Sequence, residues 1–174
     1  DLVSGAAAWN TTVWFKRFVG GTWQSSSAEV AAPVPSAQGL ISTPVLRMNA
    51  AGAALVSWGR ENNSLVAAVA APGAVFSGLA TVRPAAASAL TNLPTIGIDD
   101  ANNGLAAWTD GDLYVSRLTP GTGWSTPTLH EGYALGSTAP AVDMTERGNA
   151  ALAWVQFIPN EGSRILVRRF NSGR

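Results

Sequence analysis

Four tryptophans recur along this 174-residue chain at nearly equal intervals. They are Trp9, Trp58, Trp108 and Trp154, which are separated by 49, 50 and 46 residues. The last three each follow a proline by the same 14 residues, and these prolines are Pro44, Pro94 and Pro140. A period of this length is the signature of a protein built from repeated structural units. The fold must therefore contain the same kind of unit about four times.

Each unit has the pattern of several short β-strands. Between proline and tryptophan stand an alternating run, a turn, and a run of small apolar residues. A third apolar run follows the tryptophan, at 13–18, 65–70, 113–118 and 165–170. Such runs, alternating with period two and separated by glycine-containing turns, are typical of strands, and no apolar stripe of helical period is long enough for an ordinary helix. We interpret the Ala-rich segment 84–90 as a connection between units.

Four antiparallel strands in a repeat of this length form the blade of a β-propeller. The proline and alternating strand, the strand ending in Trp, and the third strand with Arg in fifth place resemble the blade repeats of bacterial extracellular propellers related to the sialidase-like group. This resemblance covers nearly the whole chain and implies an all-β propeller-type fold. We predict one domain, 1–174, with blade units at approximately 1–37, 38–88, 89–134 and 135–174.

The first and last of these blades are incomplete. The first unit enters at its second strand and the last unit ends after its third. Open edges and an uncovered apolar face invite pairing with another chain. We therefore expect the ring to be completed by a second copy, by another polypeptide, or by sequence cut away. Because the chain starts at Asp1, we also expect it to be a processed product or a fragment.

Composition excludes several functions. The chain has 11 basic and 11 acidic residues and a net charge of zero, so it lacks the positive field that draws proteins to nucleic acid. No apolar run reaches the roughly 20 residues of a membrane span. The absence of cysteine excludes thiolate metal sites and disulfides. Because nucleophile, phosphate-binding and dinucleotide motifs are also missing, we predict no catalytic residue, no metal and no cofactor.

The repeated tryptophans could stack on sugar rings, but their identical position in every unit favours packing between blades. We assign the same role to Trp23 and Trp124 in the fourth strands. Trp14 departs from the repeat and is the tryptophan that we expect to be exposed. The equivalent positions hold Val66, Tyr114 and Leu166.

Three arginines share the fifth place of the third strand: Arg17, Arg117 and Arg169. Arginine suits carboxylate recognition, as in sialidases. These positions lie away from the channel, however, which favours a role on the blade surface or between blades. Only Arg47 stands in a first strand, where a sialidase-like site would need several arginines, so an enzyme of that type is disfavoured.

The loops at one end of the blades are our candidate ligand surface. Connections between units and the turns between second and third strands emerge together in a propeller, and function concentrates on such loops. His130, the only histidine, lies there beside a carboxylate and a phenol, although no partner motif supports catalysis. The predicted ligand-binding residues are Arg60, Glu61, Asn62, Asp110, Asp112, His130, Glu131, Tyr133 and Glu161. Segment 99–104 is interpreted as a turn, because an alanine occupies a ligand position of the calcium loop that it faintly resembles.

These observations predict a non-catalytic binding or assembly module, secreted or at the cell envelope. A glycan is the expected ligand class by analogy with the fold. One alternative is a fragment of a sialidase-like, glycoside-cleaving propeller, and a second is a structural subunit completed by another chain. The expected partners are a second copy or another polypeptide, and neither nucleic acid nor a membrane span is expected.

Overall fold

The structure is a computed structural model that describes residues 12–29, 42–90, 92–131 and 136–172. Every regular element in these ranges is a β-strand. The described residues contain no helix long and apolar enough to cross a membrane. The strands are β1 (Trp14–Phe15), β2 (Phe18–Val19), β3 (Thr22–Trp23), β4 (Ala28–Glu29), β5 (Val45–Met48), β6 (Ala54–Gly59), β7 (Leu65–Ala70), β8 (Ser77–Arg83), β9 (Thr95–Ile98), β10 (Gly104–Thr109), β11 (Leu113–Thr119), β12 (Gly123–Trp124), β13 (Thr128–Leu129), β14 (Ser137–Met144), β15 (Ala150–Ile158) and β16 (Gly162–Phe170).

The strands form consecutive antiparallel sheets, which we number as blades. Blade two is β5-β6-β7-β8, blade three is β9-β10-β11 with β12 and β13 both paired to β11, and blade four is β14-β15-β16. In blade one, β1 pairs with β4 and β2 pairs with β3. In blade two, in blade four and from β9 to β12 in blade three, strands that follow each other in sequence are neighbours in the sheet, as in a propeller blade. The predicted all-β, propeller-type array is confirmed.

The turn between the first and second strands has the same geometry in three blades. A backbone N–H before the turn donates to the carbonyl four residues later. The pairs are Asn49 to Ala53 at 3.0 Å, Asp99 to Asn103 at 2.9 Å and Thr145 to Asn149 at 2.8 Å. Each turn contains one residue with positive φ: Gly52, Asn102 and Gly148. Glycine and asparagine adopt this conformation most readily, which explains the turn residues of the repeat.

The core lies between the blades. Trp58, Trp108 and Trp154 are almost fully buried, and each packs in a cluster shared with the preceding blade. The second and third strands of one blade therefore supply apolar residues to two clusters, one on each face. The prediction that these tryptophans pack between blades is confirmed, while Trp9 lies outside the described residues.

Two other tryptophans test the same interpretation. Trp124 is partly buried against the cluster between blades two and three, as predicted. The prediction is wrong for Trp23, which is 66% exposed and contacts Phe18 of its own hairpin edge to face. Trp124 rests on the preceding blade, whereas no blade precedes blade one in the described ranges. Trp14 is 57% exposed, as expected.

The blades approach closely along their first strands. The hydroxyl of Thr95 in blade three accepts a hydrogen bond from the backbone N–H of Val142 in blade four at 3.1 Å. A Cβ at Gly97 would lie 2.7 Å from the Cβ of Met144. Only glycine leaves room for so close an approach. Gly97 therefore sets how closely blades three and four approach along their first strands.

Candidate ligand-binding site

Three predicted residues gather at one end of blade three. Asp110 and Asp112 flank the turn before β11, and Glu131 follows β13. The backbone N–H of Leu113 donates to Oε2 of Glu131 at 3.2 Å. Burial raises the pKa of Glu131, and a hydrogen bond to Asp112 raises it further. The Glu131 carboxyl group therefore binds a proton more readily than an exposed glutamate does.

Asp110 joins blades two and three. Its carboxylate lies 2.6 Å from the guanidinium of Arg83, a β8 residue whose side chain is 6% exposed. Arg83 also donates to the carbonyl of Ser88 at 3.0 Å and to that of Asn63. A buried arginine with this many acceptors is held firmly. Asp110, as its counterion, therefore has a structural role.

The turn after β6 contains two further predicted residues. Asn62 accepts hydrogen bonds from the backbone N–H of Ser64 at 3.1 Å and from its hydroxyl at 2.6 Å, which closes the turn. The Nε atom of Arg60 is buried without a hydrogen-bond partner in the described chain. Burial lowers the pKa of this guanidinium.

The remaining predicted residues lie apart from this group. Glu61 is exposed. Glu161 pairs with Arg164 at 2.9 Å within blade four. Within the ranges that the structure describes, no contact joins either glutamate to the carboxylates of blade three, and Tyr133 lies outside those ranges.

The His130 side chain lines a cleft between blades three and four, which we call the blade cleft. Its volume is about 200 Å³. It is lined by Leu105, Val115, Arg117, Ser125, Thr128, His130, Ala150, Leu152, Arg168, Arg169 and Phe170. The predicted histidine therefore belongs to a site on the flank of the blades.

Strand register places a charged or aromatic residue beside an apolar one on each wall of the blade cleft. Leu105 pairs with Arg117 across β10 and β11 in blade three. In blade four, Leu152 pairs with Arg168 and Ala150 with Phe170 across β15 and β16. Cross-strand partners share a sheet face, so aliphatic side chains form the floor and the longer side chains form the rim.

Hydrogen bonds fix His130 in one tautomer. Nη1 of Arg168 lies 3.2 Å from Nδ1 of His130. A guanidinium can only donate, so Nδ1 carries the lone pair and Nε2 carries the hydrogen. Nε2 then donates to the hydroxyl of Thr128 at 3.0 Å, and this hydroxyl donates to the carbonyl of Val115 at 3.3 Å. Burial, followed by the charge of Arg168, lowers the pKa of His130, so the ring is neutral at neutral pH.

Arg117 spans the blade cleft. Its guanidinium carbon lies 4.1 Å from the centre of the Phe170 ring, which is a cation–π contact between blades three and four. This contact agrees with the inter-blade role predicted for Arg117. Neither Arg117 nor Arg168 forms an ion pair within the described residues. Among the described residues that line the blade cleft, none carries a carboxylate.

Sequence reasoning missed Arg168, Phe170 and Thr128 as members of a site. Two of them are departures from the repeat. The fourth place of the third strand holds Lys16, Ala68, Ser116 and Arg168 in the four units, and the sixth holds Phe18, Ala70, Leu118 and Phe170. The available signal was a long cation and an aromatic ring on the same strand, a combination that the first and fourth units share.

No protein-family model and no curated protein matches this chain. Two similar solved structures are of a mutant lectin from Aleuria aurantia, one in complex with alpha-methyl-L-fucoside and the other with Fucalpha1-6GlcNAc. Their identities to this chain are 14% and 13%, and both TM-scores are 0.48. Each alignment covers 94% of this chain and 53% or 54% of the lectin, so the chain spans about half of the lectin's length.

Proposed function

We propose that this protein is a non-catalytic binding module whose blade cleft takes one acidic sugar residue of a glycan. The observation that carries the proposal is the pair of guanidinium groups of Arg117 and Arg168 over an apolar floor, in a cleft whose described lining contains no carboxylate. An arginine without an acidic partner is free to pair with a carboxylate that a ligand brings. The resemblance of the repeats to extracellular propellers supports a place outside the cell.

The size and lining of the blade cleft support a sugar residue as the group that enters. Its 200 Å³ is less than the roughly 300–1,000 Å³ of most small-molecule pockets, so the rest of a glycan would stay outside. Leu105 and Leu152 offer an apolar floor for the C–H face of a pyranose ring. Ser125 and Thr128 offer hydroxyl groups for its polar edge.

The chemistry of the lining supports binding over glycoside hydrolysis. Most glycosidases use two carboxyl groups about 5 to 10 Å apart on either side of the bond. The described lining of the blade cleft holds none. The described lining also contains His130, a possible acid or base, but both of its ring nitrogens are engaged, one by Arg168 and the other by Thr128.

Titration calorimetry with matched glycosides tests the proposal. Methyl glucuronide, methyl galacturonide and methyl sialoside are each compared with a neutral counterpart. At least one acidic glycoside should bind more tightly than its counterpart, and the difference should shrink with added salt. Because hydrogen bonds to charged groups contribute about 1.5–3 kcal/mol, Arg168→Ala should weaken that binding by about 10- to 100-fold.

Arg164→Ala provides the control. Arg164 lies on the same strand but pairs with Glu161 and does not line the blade cleft. This variant should bind like the original protein. Equal affinity for acidic and neutral glycosides, equal losses in the two variants, or no binding of any acidic glycoside would reject the proposal.

A further inference from the structure

Blade four has an apolar face that nothing covers in the described part of the chain. The face turned away from blade three includes Phe157, Ile165 and Val167, which alternate with residues that face blade three. Their side chains are 41%, 76% and 62% exposed. We call this the trailing face of blade four.

The same positions are buried in the other blades. The tryptophan of the second strand pairs with Tyr114 in blade three and with Leu166 in blade four, so Leu113 and Val115 are equivalent to Ile165 and Val167. Leu113 is 0% exposed, Val115 is 5% exposed, and both pack in the cluster shared with blade four. Ile165 and Val167 of blade four therefore occupy positions that form an inter-blade contact in blade three.

Blade two repeats this arrangement. Trp58 pairs with Val66, which makes Leu65 and Ala67 the equivalent residues. They are 0% and 1% exposed and pack in the cluster shared with blade three. The junctions after blades two and three thus bury positions that a further junction would bury at the trailing face.

Blade one exposes the complementary face. Trp14, Phe18 and Trp23 are 57%, 60% and 66% exposed. Their counterparts in later blades lie against the preceding blade: Tyr114 and Trp124 in the cluster with blade two, Leu166 and Phe170 in the cluster with blade three. We call this described part of the sheet the leading face of blade one. The chain therefore carries both halves of a blade junction, one at each end.

One side-chain pair identifies the occupant. At the junction of blades three and four, Arg117 stacks on Phe170 at 4.1 Å. The position equivalent to Arg117 on blade four is Arg169, and the position equivalent to Phe170 on blade one is Phe18. A trailing face laid against a leading face of this same sequence would repeat the arginine–phenylalanine contact as well as the apolar packing.

We infer that two copies of this chain associate head to tail, with the trailing face of blade four in each copy covering the leading face of blade one in the other. Two identical junctions related by a two-fold axis close the ring. Two copies of about three and a half to four blades stay within the roughly four to eight blades of known propellers, whereas three copies exceed it. This inference is independent of what the blade cleft binds.

Light scattering during size exclusion gives the first test. The chain should elute as a dimer with about twice its mass of 17.9 kDa. Ile165→Glu should halve that mass, because a charge would be buried at both junctions. Leu93→Glu, which places the same charge at a residue that is 51% exposed in the connection between blades two and three, should remain dimeric. Circular dichroism verifies that both variants are folded.

Cross-linking gives a second test that does not depend on the folding of a charged variant. The chain has no cysteine, so a short bismaleimide can join Phe18→Cys chains to Arg169→Cys chains. The mixture should give a covalent dimer, and neither variant alone should. The doubly substituted Arg117→Cys, Phe170→Cys chain should link internally and keep its monomeric mass. A monomer at all concentrations, an unchanged mass for Ile165→Glu, or no dimer in the mixture would overturn the inference.

Discussion

Trp108 and Trp154 occupy equivalent positions in blades three and four but have different polar surroundings. Nε1 of Trp154 donates to Oε1 of Gln156 at 3.1 Å, and Gln156 is fully buried. Nε1 of Trp108 is buried with no hydrogen-bond partner in the described chain. Replacing each tryptophan by phenylalanine should therefore change the free energy of unfolding by different amounts.

The magnitude follows from what each replacement removes. Both sites are buried, at 1% and 5% exposure, so the loss of ring volume costs a similar amount in both. Trp154→Phe also removes a hydrogen bond with a net contribution of about 0.5–1.5 kcal/mol. Trp108→Phe instead removes a buried, unpaired donor and regains about 1–3 kcal/mol of its desolvation cost. We expect Trp154→Phe to be the more destabilising by about 1.5–4.5 kcal/mol.

Urea unfolding of both variants at one protein concentration measures this difference, since the inferred association of two copies would make stability depend on concentration. The slopes against urea must agree for the comparison to hold. In a double-mutant cycle, Gln156→Met should couple to Trp154→Phe and not to Trp108→Phe. Equal destabilisation, or a larger loss for Trp108→Phe at equal slopes, would refute the reasoning.

Two further predictions concern ionisable groups. Because the pKa of folded His130 lies below the usual 6.5, the unfolded chain binds more protons and stability should fall as pH decreases through about 6.5. His130→Gln should lack this part of the slope in urea unfolding between about pH 7.5 and 5.5, and an identical slope would contradict the assignment. Asp110→Ala should cost about 3–5 kcal/mol in thermal or urea unfolding, because it leaves the buried Arg83 without its counterion. Glu161→Ala, which removes an exposed pair, should cost at most about 1 kcal/mol, and similar losses in the two would count against this account.

The repeat was sufficient to predict the strands of blades two to four, whereas the predicted run 13–18 of blade one divides into β1 and the start of β2. The proline–tryptophan interval located β5, β9 and β14, and the apolar runs located β7 and β11, because period-two alternation is a local property of the sequence. Lengths were less predictable. The fourth strand of blade three divides into β12 and β13, with Pro127 between them lacking the N–H that pairing requires.

The blade cleft was less accessible to sequence reasoning. His130 was predicted as a ligand-binding residue, but it was grouped with the loop carboxylates, because chain order placed it next to Glu131. Its hydrogen-bond partner, Arg168, is 38 residues away on the next blade. Equivalence within a repeat tells which residues share a position in each unit. It does not tell which departures from the repeat on two neighbouring units will face each other.

The way in which the two cleft arginines are held has a consequence for selectivity. Arg168 is anchored by an uncharged imidazole and Arg117 by an aromatic ring, so each loses rotamer freedom without an acidic partner among the described residues. A ligand in the blade cleft would therefore order these side chains little further. Immobilising a mobile side chain on binding otherwise costs about 0.5–1.5 kcal/mol. A mobile lysine at either position would provide the same charge without this rigidity, so the affinity that we propose for the blade cleft would depend on the anchoring groups as much as on the cations.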